Sequence, residues 1–92
     1  MAVGIEIKLP GVKVEEFDRV DALIDAGGNH PEGLIFSGSG PTEDGWRVID
    51  FWESRGHFDA FAAERIGPAV AKVGVSVQPE IDEFPIHEYV SR

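Results

Sequence analysis

Between residues 2 and 9 apolar side chains occupy every second position, Val3, Ile5, Ile7 and Leu9, while Ala2, Gly4, Glu6 and Lys8 fill the places between them. A period of two is the pattern of a strand buried on one face, and Pro10-Gly11 stops it. From Val14 the spacing changes to that of an amphipathic helix. Val14, Phe17, Val20, Leu23 and Ile24 recur at helical intervals, Glu15, Glu16, Asp18, Asp21 and Asp25 lie opposite them, and Gly27-Gly28 ends the run after Ala26. Residues 29–32, Asn-His-Pro-Glu, are loop chemistry, and a second strand is expected over about residues 33–40. Pro41-Thr42-Glu43-Asp44-Gly45 reads as a turn, so residues 46–53 should return antiparallel as a third strand. Ser54 suits a helix N-cap, Phe58, Phe61, Ala62 and Ile66 follow at helical spacing, and Gly74 suits the C-cap. Pro68 removes a backbone donor inside this run and predicts a kink or a split near Gly67. A fourth strand is expected over about residues 81–90, with Pro85 marking an edge or a bulge.

Two β-α-β halves in series give an α+β fold, βαββαβ, in which a four-stranded antiparallel sheet carries two helices on one face. Right-handed crossovers predict the strand order 4-1-3-2. No linker divides the chain, so residues 1–92 read as a single domain. A sheet covered on one face leaves the other to be dealt with. If that face is apolar, a second copy is its natural cover, and the expected unit is a homodimer whose facing sheets form a dimeric α/β barrel. The length of 92 residues favours this, because small domains bury a modest share of their surface.

Charge narrows the choice of partner. With 17 acidic against 8 basic side chains the formal charge is -9, and such a field repels nucleic-acid phosphates and anionic lipid, so no nucleic-acid and no membrane partner is expected. The absence of Cys removes disulfides, thiolate nucleophiles and Cys-ligated metals and agrees with a reducing compartment. Glu6 and Lys8 interrupt the N-terminal apolar pattern, which speaks against a signal peptide, and the location expected is the cytoplasm.

The third strand holds the sharpest candidate chemistry. One face carries Trp46, Val48, Asp50 and Trp52, the other Arg47, Ile49, Phe51 and Glu53. A carboxylate between apolar neighbours loses hydration, its pKa rises, and it becomes a candidate acid or base near neutral pH. The alternative for Asp50 is a structural partnership with Arg47, Arg65 or a backbone donor. Trp46 and Trp52 are equally candidates for the wall of a cavity around a flat molecule and for ordinary core packing. His30, His57 and His87 have no metal-ligand spacing, so no metal site is expected. His87, within Phe84-Pro85-Ile86-His87-Glu88-Tyr89, is the best placed of the three, where it and Tyr89 could face a pocket or a partner chain. Ser37-Gly38-Ser39-Gly40 lacks the Lys of a phosphate loop; its small side chains leave room, and Gly38 could open space above the sheet.

The stretch from Gly40 to Ser54, followed by Phe58, Phe61 and Phe84-Pro85-Ile86-His87, resembles the dimeric α/β-barrel superfamily, in particular small proteins related to antibiotic biosynthesis monooxygenases. The resemblance spans nearly the whole chain, and Trp52-Glu53-Ser54 followed by Phe58 is its most specific part. It implies a ferredoxin-like protomer, a homodimer with facing sheets, and a ligand cavity between each sheet and its helices. It also places Trp52 at a pocket tryptophan of haem-degrading relatives; where those carry a helix histidine about ten residues later, this chain has Ala62. No haem or other cofactor is therefore expected. The function expected is a small-molecule cavity protein, a cofactor-independent monooxygenase-like enzyme acting on an aromatic or apolar compound. The alternative is a non-catalytic ligand-binding or stress-responsive barrel. In the first, Asp50 and then His87 are the acid/base candidates, and Trp46, Trp52, Phe36, Ser37, Phe61 and Tyr89 are the ligand-binding ones.

Overall fold

The structure, a computed structural model, describes residues 2–90. Its elements are β1 (Val3–Pro10), α1 (Val14–Ile24), β2 (Leu34–Pro41), β3 (Gly45–Trp52), α2 (Arg55–Phe61), α3 (Gly67–Val73) and β4 (Glu80–Pro85), with a π-helical turn, Ala62–Ile66, joining α2 to α3. All strand pairs are antiparallel, in the order β2-β3-β1-β4. This is the expected order, and the architecture is α+β of ferredoxin-like topology.

The alternation in β1 decides which side of the sheet is dry. Ile5 lies opposite Asp50, Ile7 opposite Val48 and Leu9 opposite Trp46, all on the helix side. Ile5, Ile7, Trp52, Phe58 and Phe61 form the buried cluster there. The Trp52 ring, fully buried, meets Phe61 at 5.2 Å and Phe58 at 5.9 Å between centroids. Such tilted and edge-on pairs add to the burial of large apolar rings. Ser54 begins α2 as expected, its Oγ accepting from the His57 backbone N–H at 3.3 Å. At the start of α1 the Glu16 carboxylate accepts from the Lys13 backbone N–H at 3.3 Å.

Three boundaries differ from expectation, each for a local reason. Asp25, at φ 52°, forms the left-handed cap of α1, so the helix stops before Gly27-Gly28. An Asp tolerates this conformation better than most residues. The helical backbone does not break at Gly67: it stays right-handed, and the Gly67 N–H reaches back five residues to the Ala62 carbonyl. A widened turn just before Pro68 absorbs the missing donor, and Pro68 itself sits in the first turn of α3, where no N–H is needed. Finally, β4 ends at Pro85 rather than near Val90, because proline cannot continue the ladder. Ile86 still donates to the Ala2 carbonyl at 3.2 Å, but His87 and Tyr89 lie beyond the strand.

Gly45 opens β3 where backbone crowds backbone. A Cβ there would run into the Leu9 carbonyl oxygen and the Gly11 nitrogen, whereas a Cβ on Gly40 would meet nothing within 4 Å. Gly45→Ala should cost about 1–3 kcal/mol in urea denaturation, as overpacking does, while Gly40→Ala should leave the midpoint nearly unchanged.

Candidate functional site

Between the helix side of the sheet and the helices lies a cavity of about 210 Å³. Ile7, Leu9 and Val48 form its floor, Phe17, Val20 and Ile24 of α1 one wall, and Phe58, Phe61, Ile66 and Val70 the other. Val75, Val77 and Pro79, on the way to β4, close one end. The same helical periodicity that predicts α1 and the second helical run supplies both walls, which makes the cavity a property of the amphipathic faces rather than of a motif.

Asp50 reaches this space from the centre of β3. It is 4% exposed, and among the described residues it is the one buried polar or charged side chain. Two neutral donors hold it: the Ser37 hydroxyl at 2.6 Å on Oδ1 and the Trp52 indole N–H at 3.3 Å on Oδ2. Among the described residues no cation is one of its partners. Arg47 instead pairs with Glu6 at 3.6 Å on the far face of the sheet. Arg65 donates to the carbonyls of Ile24 at 3.1 Å and Asn29 at 2.7 Å, tying the π turn to the end of α1. The alternative of an Asp50–arginine pair is thus replaced by a carboxylate among neutral donors. Burial raises its pKa above the ordinary 3.8, and the hydrogen bonds from Ser37 and Trp52, which favour the charged form, oppose part of that rise.

The approach of Ser37 depends on an irregularity in β2. Leu34 pairs with Trp52 and Ser37 with Asp50, with a register shift between Leu34 and Phe36. One extra residue turns Ser37 and Ser39 to the helix side, where both border the cavity, and Phe36 to the other. Strict alternation from Leu34 would have done the reverse.

The residues singled out from sequence therefore separate into two groups. Asp50, Ser37 and Phe61 border the cavity, and Trp52 lies against it with its N–H on Asp50. Trp46 packs on Phe17 at 5.1 Å between centroids, beyond the cavity floor. Phe36 and Tyr89 belong to the open face, where both rings approach Phe51, at 5.6 and 6.2 Å. Gly38 also lies there, under the Phe36 ring, so it opens no space for a ligand in the cavity. His87 is exposed beyond β4 and does not line this cavity. His57 is held by Ser54 at 2.7 Å, and His30 by the Leu34 carbonyl at 2.8 Å. Among the described residues no group of His, Asp and Glu has the geometry of a metal site. Sequence reasoning missed Glu16 and Asp21, which border the cavity from α1; they sit five residues apart, Glu16 next to Phe17 and Asp21 next to Val20.

The raised pKa of Asp50 has a sign that can be tested. Because the folded state holds this proton more tightly than the unfolded chain, the group favours folding fully below about pH 3.8. That contribution is lost as pH rises through the folded-state value. Asn at 50 keeps an acceptor and removes the charge. The Tm of Asp50→Asn relative to the parent should therefore rise between about pH 4 and about pH 7 in calorimetric scans; a constant or falling difference would contradict the burial argument.

No protein-family model matches the sequence, and no curated protein is similar to it. Solved structures do match. A candidate antibiotic biosynthesis monooxygenase from Caulobacter crescentus superposes with a TM-score of 0.73 at 20% identity, over 95% of this chain and 91% of that one. NE2512 of Nitrosomonas europaea, a protein of unknown function, gives 0.72 at 14% identity over 99% and 94%. SnoaB of Streptomyces nogalater, a cofactor-independent oxygenase, gives 0.68 at 14% identity over 99% and 97%. At these identities the likeness is one of fold, and the fold of this chain is the ferredoxin-like one found in antibiotic biosynthesis monooxygenase-like proteins.

Proposed function

We propose that this chain is a small-molecule enzyme of the cofactor-independent monooxygenase type, working as a homodimer on a compact aromatic or apolar substrate. The observation that carries this reading is a mainly apolar cavity with a single deeply buried carboxylate, Asp50, whose two fixed partners are neutral. A base in such a site takes a proton from a phenol or enol without building new charge: the negative charge passes from Asp50 to the substrate. Ser37 and Trp52 orient the carboxylate, and the apolar walls keep water from competing for it. The resulting electron-rich anion is the species that reacts directly with dioxygen. In a one- or two-ring substrate with an acidic ring CH2, that CH2 becomes C=O, and the second oxygen atom leaves with the two hydrogens as water. The oxygenase activity of SnoaB on the same fold supports this reaction type. His87, distant from the cavity, has no part in it.

The open face of the sheet supports the dimer. Phe36 is 53% exposed, Tyr89 46% and Phe84 39%, and they flank Phe51 and Ile49 across three strands. An aromatic surface of this extent on a small soluble chain is a docking face, and a second copy presenting the same face covers it isologously. Sedimentation at micromolar concentration should give twice the mass of one chain, and Phe36→Glu, at an exposed position, should shift it towards the monomer.

Activity is tested by oxygen uptake with a panel of one- and two-ring phenols and enolisable cyclic ketones. Asp50→Asn should reduce turnover by about a hundredfold or more, the range of general-base effects, while leaving binding within a few-fold. Binding with no oxygen uptake by either form would instead identify a ligand-binding barrel.

A further inference from the structure

The ionisable groups around the cavity are all of one sign. Asp50 stands at its centre, and Glu16 and Asp21 border it from α1; among the described residues the lining contains no Lys, Arg or His. Arg65, next to Ile66 of the lining, spends its guanidinium on the carbonyls of Ile24 and Asn29 and on the Phe61 ring at 5.6 Å. Asp21 itself carries a raised pKa, from partial burial first and from Asp18 and Asp25 second, so it stands in a negative field even at the rim. An anionic ligand entering this space would meet the Asp50 carboxyl where screening is poor, with Glu16 half-buried and Asp21 exposed at the rim, and no cation among the described lining residues.

The hydrogen-bonding capacity of Asp50 points the same way. A carboxylate offers about four lone-pair positions. Ser37 occupies one on Oδ1 and Trp52 one on Oδ2, leaving acceptor capacity on both oxygens and no donor. A ligand carboxylate, sulfonate or phosphate has only acceptors to bring. A hydroxyl or an ammonium brings the proton that Asp50 lacks.

Size sets the other limit. A dry cavity of about 150 Å³ in a protein core takes up benzene; 210 Å³ accommodates one substituted ring or two fused rings.

We infer that the cavity selects its ligand by charge and donor, taking one- or two-ring compounds that carry a hydroxyl or ammonium donor and rejecting their carboxylated, sulfonated or phosphorylated counterparts. This rests on the cavity being the ligand site. It adds that Glu16 and Asp21 are specificity-determining residues at the rim and Asp50 the acceptor within.

Calorimetric titration of the whole chain with three nearly isosteric probes tests it: 2-naphthylmethanol, 2-naphthylmethylammonium and 2-naphthoate, at about pH 7, where the last is an anion. The alcohol and the ammonium should bind, and the naphthoate should bind roughly tenfold more weakly than the alcohol or worse. In Glu16→Gln/Asp21→Asn the gap between naphthoate and alcohol should narrow several-fold. Val70→Phe, which fills the cavity, should weaken the alcohol. Naphthoate binding within about twofold of the alcohol in the parent protein would overturn the charge selection while leaving the cavity as the ligand site. Failure of all three probes, or an alcohol affinity that Val70→Phe does not change, would remove the site and the inference with it.

Discussion

Asp50 is held under the sheet's helical layer by a serine hydroxyl on one oxygen and an indole N–H on the other, with no cation bonded to it among the described residues. Burying a carboxylate is costly, and structural carboxylates at this depth are ordinarily paired with a cation. Here two neutral donors recover part of the lost hydration. The remainder appears as a raised pKa. The surrounding geometry is arranged to make that possible. Trp52 must be buried in the core to present its N–H from the same face of β3, and β2 must shift register to bring Ser37 across.

The sheet thereby acquires two surfaces with different duties. The helix side offers an apolar cavity with one acceptor group at its centre, and the open side offers Phe36, Phe51, Phe84 and Tyr89. A small chain with both features is under-covered on its own. Joining two copies through the open faces would hide the exposed rings while leaving each cavity with its own helices, so assembly and ligand binding would not compete for the same surface. The single sign of the charges around the cavity then bears on what can enter, independently of what the site does afterwards.

Most of this fold is legible in the sequence because it is written in periodicity. The alternation of β1 and the helical spacing of Val14 to Ile24 determine which side chains face inward, and the strand order follows from chain connectivity. Asp50 is conspicuous for the same reason, as a charge at an inward position. What escapes is set by single-residue irregularities. The register shift near Ile35 sends Phe36 and Ser37 to opposite faces, and nothing in Leu34-Ile35-Phe36-Ser37 announces it. The π turn is likewise hidden, since Pro68 signals a disturbance without saying whether the helix bends or widens. Glu16 and Asp21 look like solvent-facing helix residues until the opposing wall is in place. His87 and Tyr89 lie beyond β4, because the strand ends at Pro85 while the residues after it still read as strand.

The central claim is that Asp50 is a desolvated carboxyl open to the cavity, and its own titration tests this most directly. Carbon-13 NMR of the side-chain carboxyls, with Asp50 assigned by its loss in Asp50→Asn, gives the midpoint with and without saturating 2-naphthylmethanol. The account predicts a midpoint above 3.8 in the free protein and a clear change of the Asp50 resonance on ligand addition. A midpoint at or below the ordinary value, with a resonance indifferent to the ligand, would contradict it.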